Sequence, residues 1–339
     1  MINLVKTSSY DYFLPQELIA KEPVLPRENA KMLVYDRKKD TILHKHVRDL
    51  PEILPECSIV FNDTKVIKAR AYGIKSSGGK VEILLNAPLI NGNFGAYIKG
   101  RVKVGSEIAL SDSFKFIVKS LFDDGLREVE FYLKDKKLNT TEVFNEMDCI
   151  GHVPIPPYIK RDDNKNDEIW YQSIFAKYQG AVAAPTASLH FSSELVDKLK
   201  TDHDIYTLTL HVGAGTFKSI ESEDITKHKM HEEWYHLPQN TINLINSTDK
   251  ILGIGTTVTR VIEDFARNGR SSGVCELFLN PFNKPIRQNY LLTNFHLPKS
   301  TLIMLVCSFI GFEKTMEIYD IAIKNNYRFY SYGDCMLVL

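Results

Sequence analysis

The hydrophobic period changes along this chain, and that change limits the fold more than any other feature. Between about residues 64 and 148, KVEILL, AYIKGRVKV, FKFIVKSLF and REVEFYLKD alternate apolar and polar residues with period two. SSGG, NGN and DDG separate them. A period of two places alternate side chains on opposite faces of a strand, and such glycine-, asparagine- and aspartate-rich breaks are turn chemistry. Several short strands at this spacing predict a small barrel or sandwich. From about residue 150 onward, helical and strand patterns alternate instead. SSELVDKLK reads as a helix opened by a serine cap, with Glu194 in its first turn. TRVIEDFARNG reads as a helix closing on glycine, and EIYDIAIKNN as another. IYTLTLHV and KILGIG read as buried strands, and YRFYSYGDCMLVL as strand-rich. The first sixty residues are mixed. The expected fold class is α/β: a large α/β domain from residues 1–63 and 150–339, with a smaller β domain, 64–149, inserted between.

The bulk numbers agree. A chain of 339 residues suits roughly two domains. Its 44% apolar and 25% charged residues are ordinary for a soluble globular protein. The five cysteines are widely spaced with no C-x-x-C, against a disulfide scaffold or zinc knuckle and in favour of a reducing compartment. MINLVKTSSYDYF has no apolar core of the signal-peptide kind. The apolar run TLIMLVCSFIGF is shorter than the about 20 residues a membrane span needs. A soluble, cytoplasmic protein with no membrane association is expected, and a monomer, since no obligate protein partner is evident.

Charge is unevenly placed. Lys+Arg and Asp+Glu are both 42, yet residues 64–105 carry eight basic residues against the single acid Glu82. The eight are Lys65, Lys68, Arg70, Lys75, Lys80, Lys99, Arg101 and Lys103. Such a stretch is either a solvated face whose charges pair elsewhere in space, or a docking surface for a polyphosphate.

Several short segments suit chemistry. GAVAAPTASLHFS (180–192) has almost no side-chain bulk before His190 and Phe191, which fits either a tightly packed strand or a wall where a ligand approaches main chain. LHVGAGTF follows an apolar strand and offers consecutive amides for a carboxylate or phosphate, or merely a tight turn. GIGTTVTR sets a glycine pair and two threonines before a helix whose N-terminus suits an anion or ribose, without the spacing of a nucleotide loop. In HKMHEEWYHL, His231 and His236 are five apart, so the i, i+4 spacing of a zinc helix is missed and no metal is expected. FND, TNFHLPKS and YSYGDCM embed Asn62, Asp63, Asn294, His296, Lys299 and Asp334 in apolar or aromatic sequence, where each polar group needs a partner.

Taken in order, FNDTKVIKAR, GHVPIPPYI, GAVAAPTASLHFS, TLHVGAGTF, KMHEEW, GTTVTR, TNFHLPKSTLIMLV and YRFYSYGDCMLVL resemble the S-adenosylmethionine:tRNA ribosyltransferase-isomerases of queuosine biosynthesis. The resemblance runs from about Tyr12 to the C-terminus. Three places depart from the family's usual pattern: PRENAK at 26–31, which retains Arg27; LNPF at 279–282; and GTTVTR, where Thr256, Thr257 and Arg260 stay.

The resemblance implies a large α/β domain with a smaller antiparallel β-barrel. It implies S-adenosylmethionine as co-substrate and ribosyl donor, with no metal. The acceptor is 7-aminomethyl-7-deazaguanine at the wobble position of a tRNA anticodon loop, and the products are epoxyqueuosine-tRNA, adenine and methionine. Such a site needs aromatic faces for a sulfonium, for which Phe191, Phe217, Trp234 and Tyr332 are candidates. It needs amides for a carboxylate, expected from Gly213 to Thr216. A sulfonium acidifies the ribose carbon beside it, so a proton acceptor is required; His190, His211, His231 and Asp63 are the candidates. Donor-binding residues are expected among Pro185, Thr186, Phe191, Gly213, Gly215, Thr216, Gly255, Thr256, Thr257, Asn294, His296 and Asp334. The basic stretch 65–103 would grip phosphates flanking a splayed-out base. A non-catalytic RNA-binding module would bind tRNA without turnover, and an ordinary RNA methyltransferase would show an early glycine loop, which is absent.

Overall fold

The structure, a computed structural model, describes residues 2–217, 220 and 222–339, with the backbone alone for Thr216 and Phe217. Ser58–Asn62 and Ile251–Ile254 are buried along their whole length, as their unbroken apolar sequence requires of strands covered on both faces. They lie at the centre of a nine-stranded mixed sheet. Its order is Ser272–Cys275, Glu233–His236, Ile205–Leu210, Ser58–Asn62, Ile251–Ile254, Tyr290–Asn294, Cys335–Val338, Lys31–Asp36 and Thr41–His46. The four strands from Ile205–Leu210 to Tyr290–Asn294 are mutually parallel.

Alternation along Ser58–Asn62 divides the core. Ile59 and Phe61 pack with Phe191, Leu195 and Val196 on one face, while Val60 packs with Val258, Val261, Ile262 and Phe265 on the other. Helices therefore cover both sides: Ser193–Leu199, capped by the Ser192 hydroxyl, and Thr256–Asn268, closed by Gly269 at φ +70°. The apolar run near residue 301 forms the helix Thr301–Ile310, which Gly311 turns into Phe312–Lys324. Among the described residues no helix is long and apolar enough to cross a membrane.

The period-two block closes into a barrel, not a sandwich. Arg127–Leu133, Phe94–Lys99, Lys80–Pro88, Arg70–Lys75, Glu107–Ala109 and Phe114–Leu121 pair antiparallel in that order, and the last pairs back on the first. Val81, Ile83 and Leu85 point inward with Phe94, Phe116 and Phe131. The fold is thus of the α/β class with a smaller antiparallel β-barrel.

Three local expectations are corrected. AYIKGRVKV does not continue as one strand, because Gly100 takes φ +131° and the strand stops at Lys99. Thr140–Ile150 is a helix, which puts Val143, Phe144 and Met147 into the barrel core. Its start is fixed by a reciprocal cap between Asn139 and Glu142. In YRFYSYGDCMLVL only Cys335–Val338 is strand, since Tyr330 at φ +74° breaks the extended backbone. The barrel is fastened to the large sheet beside residues 181–214. Tyr178–Ala181 pairs with Thr64–Val66, Ile67 N–H donates to Ala181 O, and Ala214 N–H donates to Asn86 Oδ1.

Candidate functional site

The carboxyl ends of the parallel strands open onto a cavity of about 410 Å³. This is where open α/β sheets bind ligands, because strand-to-helix turns there leave main chain unpaired. One wall is Ala183, Ala184, Pro185, Thr186 and Ala187. Gly255, beside Ala187, continues the lining with Thr256 and Thr257, and the turn from Thr293 to Leu302 completes it. Gly255 sits at φ +91° as the N-cap of Thr256–Asn268, and no side chain caps that helix. Its first-turn N–H groups therefore lack protein acceptors and carry the positive end of the helix dipole.

Of the residues expected to bind a donor, Pro185, Thr186, Gly255, Thr256, Thr257, Asn294 and His296 line this cavity. Phe191, Gly213, Gly215 and Asp334 are not among its lining residues. Phe191 turns away into the core, edge-on to Phe61 with centroids 4.9 Å apart. Asp334 is buried, accepting from the Lys31 and Arg328 amides. Two of the amides of LHVGAGTF are already engaged: Gly213 N–H donates to Glu233 Oε1 and Ala214 N–H to Asn86 Oδ1. Glu233 is itself ion-paired to the buried Arg260 guanidinium, which also donates to Cys275 O and Leu277 O. The free amides facing the cavity are thus at Thr256, not at Gly213. The side chains of Thr216 and Phe217 lie outside the described residues.

None of the four candidate proton acceptors His190, His211, His231 and Asp63 is among the residues that line the cavity. His190 Nε2 is 3.0 Å from Asn294 Oδ1, and the Asn294 amide donates to Tyr330 O and Ser331 O. That network makes Nε2–H the donor and fixes Asn294 at the wall. Burial lowers the His190 pKa to about 4, so its ring is neutral at pH 7. His211 is likewise held neutral, pushed to about 4 by burial, with Nδ1 2.8 Å from Thr64 Oγ1. Its chain neighbour Val212 lines the cavity. His231 lies against Gly215, where a built Cβ would fall 2.5 Å from its ring. Asp63 is buried, accepts from the Thr209 hydroxyl at 2.6 Å, and has its pKa raised by that burial. His296 lines the cavity directly, its Nε2 2.9 Å from Thr293 Oγ1, and burial lowers its pKa to about 3.

Sequence reasoning missed the aromatic lining. Tyr158, Tyr171, Tyr330 and Phe295 face the cavity. The Tyr158 and Ser331 hydroxyls are hydrogen-bonded, and the Tyr158 and Tyr330 rings are 4.5 Å apart. The buried Tyr171 hydroxyl completes no hydrogen bond, although Ala184 N–H and the Ser331 hydroxyl are close. Trp234 is 48% exposed outside the cavity, and Tyr332 donates to the buried Asp167. Lys299, at the rim, is ion-paired with Asp11 at 2.7 Å. No group of three or more potential metal ligands occurs among the described residues.

The eight basic residues divide in space. Lys68 pairs with Glu168 and Arg70 with Glu82, near the large sheet. Lys75 donates to Arg101 O at the far end of the strand Arg70–Lys75, roughly 17 Å away at 3.4 Å per residue. Lys80, Lys99 and Lys103 belong to that far end and are exposed, while Lys65 lies beside Thr64 in the ladder near the cavity.

Comparison with known proteins fits this arrangement. A protein of Campylobacter fetus named S-adenosylmethionine:tRNA ribosyltransferase-isomerase is 58% identical over the whole of both chains. One of the same name from Nitratiruptor is 55% identical, also over the whole of both. The crystal structure of S-adenosylmethionine tRNA ribosyltransferase from Thermotoga maritima matches with a TM-score of 0.54 and 32% identity, over 97% of this chain and 99% of that one. The model of the queuosine biosynthesis protein family matches residues 7–338. With a bare-walled cavity at the sheet's carboxyl edge and full-length relatives of one name, the chain belongs to the queuosine biosynthesis protein family.

Proposed function

We propose that this enzyme transfers the ribosyl group of S-adenosylmethionine to 7-aminomethyl-7-deazaguanine at the wobble position of tRNA and isomerises it. Epoxyqueuosine-tRNA forms, and adenine and methionine leave. Family membership supports ribosyl transfer and isomerisation in queuosine biosynthesis as the reaction. The observation that supports the location is the cavity itself. Its volume of about 410 Å³ is in the range that encloses a small ligand. It combines the three surfaces such a donor needs: uncapped helix amides, aromatic faces and a wall of bare main chain.

Each part of the chain then has a task. The first-turn amides of Thr256–Asn268 receive the donor's carboxylate. The faces of Tyr158, Tyr330 and Phe295 receive its sulfonium, which is worth about 0.5–2 kcal/mol in stacked geometry. Ala183 to Ala187 let the donor lie flat against main chain, with the Thr186 hydroxyl beside it. The donor itself supplies an acidified carbon and a good leaving group. Among the lining side chains, His296 is a neutral imidazole and Lys299 is ion-paired with Asp11, while burial raises the pKa of Tyr158, Tyr171 and Tyr330. We place His296 beside His190, His211, His231 and Asp63 as acceptors to test, with His190 positioning Asn294. Residues 64–149 form the inserted barrel unit, whose basic residues grip the anticodon arm. The enzyme acts in the cytoplasm as a monomer.

Chromatographic measurement of adenine released from S-adenosylmethionine and tRNA bearing the modified base tests this. Binding of tRNA without adenine would reduce the chain to an RNA-binding module, and S-adenosylhomocysteine as product would make it a methyltransferase. A variant among the five that binds both substrates yet releases no adenine identifies the acceptor.

A further inference from the structure

The strand Glu233–His236 sends its side chains alternately inward and outward. Glu233 and Tyr235 are buried, on Arg260 and Asp264. Trp234 and His236 stand on the open face. There the rings form a ladder. Trp234 lies nearly parallel to His211, with centroids 5.5 Å apart and planes at 18°, and nearly parallel to His236, at 6.4 Å and 11°. The inner ring is held by the fold. His211 Nδ1 bonds the Thr64 hydroxyl, and its ring presses on Gly180, where a Cβ would come within 2.9 Å. Only glycine leaves that ring its place. The ladder continues sideways through Thr64, which pairs with the half-exposed Tyr178.

Three near-parallel rings held in a row, with Trp234 and His236 exposed, are a stacking surface already ordered before any ligand arrives. Its charge surroundings specify the ligand. Lys177 lies over the Tyr178 ring at 4.9 Å, and Lys65 pairs with Gln179 in the same ladder; neither is in an ion pair among the described residues. Arg270 is exposed just before the strand Ser272–Cys275, whose Ser272 pairs with His236. Glu232 and Glu276 are exposed acids at the start of the strand, beyond the Glu233–Cys275 pair. Rings flanked by cations suit unpaired nucleotides, whose bases stack and whose phosphates are anionic. The ladder also stands next to the cavity: His211 N–H donates to Trp234 O, and Val212, the next residue, is in the cavity wall.

We infer that the His211–Trp234–His236 ladder is a platform for an unpaired RNA base adjoining the one that enters the cavity. This rests on the function proposed above and deepens it. Stacking of the neighbour holds the loop open while the target base is extruded, and Lys65 and Lys177 sit where the intervening phosphates pass.

The chain has two tryptophans, Trp170 and Trp234, so Trp170→Phe leaves the ladder residue as the sole indole, which excitation at the red edge selects over the tyrosines. Titration of this protein with a synthetic anticodon stem–loop is expected to quench its emission, and an RNA duplex of the same stem is expected not to. Trp234→Ala should weaken stem–loop binding by about tenfold or more, the usual loss of a stacked base. Trp234→Phe, which keeps a ring, should restore most of it. The KM for S-adenosylmethionine should be unchanged in both. Equal quenching by loop and duplex, or a Trp234→Ala protein that binds the loop as tightly as the parent, would overturn the platform. If the parent quenches on the loop but releases no adenine, the platform stands and the enzymatic reading falls.

Discussion

Tyr171 carries a hydroxyl that the protein buries and does not satisfy, at the edge of a cavity. An unpaired buried donor costs about 1–3 kcal/mol, and a structure keeps one where a ligand completes it. Tyr171→Phe is therefore expected to raise the unfolding free energy by roughly 1 kcal/mol while lowering kcat/KM. Urea melts and adenine release read the two effects separately; a loss in both would make the hydroxyl structural. Ala184→Leu tests the wall beside Tyr171. Three added carbons point into the cavity, so donor binding by calorimetry should be lost while the fold survives a cost of about 1–3 kcal/mol. Normal donor binding would mean the wall is not in contact with the ligand. At this scale the sequence was readable where chemistry depends on main chain, and Pro185, Gly255 and Thr256 do line the cavity. The tyrosines were not readable. Sixteen tyrosines are spread along the chain, and Tyr330 meets Tyr158 and Tyr171 only because two segments distant in sequence converge.

Elements were legible wherever period and cap agreed. Ser193–Leu199 and Thr256–Asn268 follow from a serine cap and a terminal glycine, and four of the six barrel strands follow from alternation. Glu107–Ala109 is too short to show a period, and in Arg70–Lys75 the exposed face is itself apolar, with Tyr72 and Ile74, so no alternation shows. The helix Thr140–Ile150 was hidden by its β surroundings, although Asn139 and Glu142 form its cap. The basic stretch shows the limit most clearly. Eight charges adjacent in sequence occupy two ends of one barrel, because a hairpin turns contiguity into separation. KMHEEW and GTTVTR each carry a charged residue whose partner the sequence does not reveal: Glu233 and Arg260 meet as a buried pair that ties the strand Glu233–His236 to the helix Thr256–Asn268. Glu233→Gln should then cost about 3–5 kcal/mol, the usual penalty for leaving a buried guanidinium uncompensated. A urea midpoint within error of the parent would show that water reaches Arg260.

For the molecule as a whole, three neutral histidines set the response to acid. His190 and His211 are held at about 4 and His296 at about 3, all lowered by burial from the ordinary value near 6.5. Between those values the unfolded chain binds protons that the folded chain refuses. Stability is thus fully present above about pH 6.5 and is lost as pH falls toward 4. Each proton contributes 1.36 kcal/mol per pH unit, so three rings together can remove about 4 kcal/mol between pH 6 and pH 5. Asp63 works in the opposite direction, since burial raises its pKa and the folded state retains its proton, but its window begins at the carboxylate value of 3.8 and extends upward. The net effect is a decline that starts above the range where most carboxylates titrate. Unfolding free energies from urea, taken at half-unit steps from pH 7 to pH 5, should fall with a slope approaching three protons. His190→Gln keeps a donor for Asn294 and has no ring to charge, so it should reduce that slope by about one proton. A flat profile above pH 5.5 would mean that the rings titrate as freely in the folded protein as in the unfolded chain, and the neutral wall proposed around the donor would not exist.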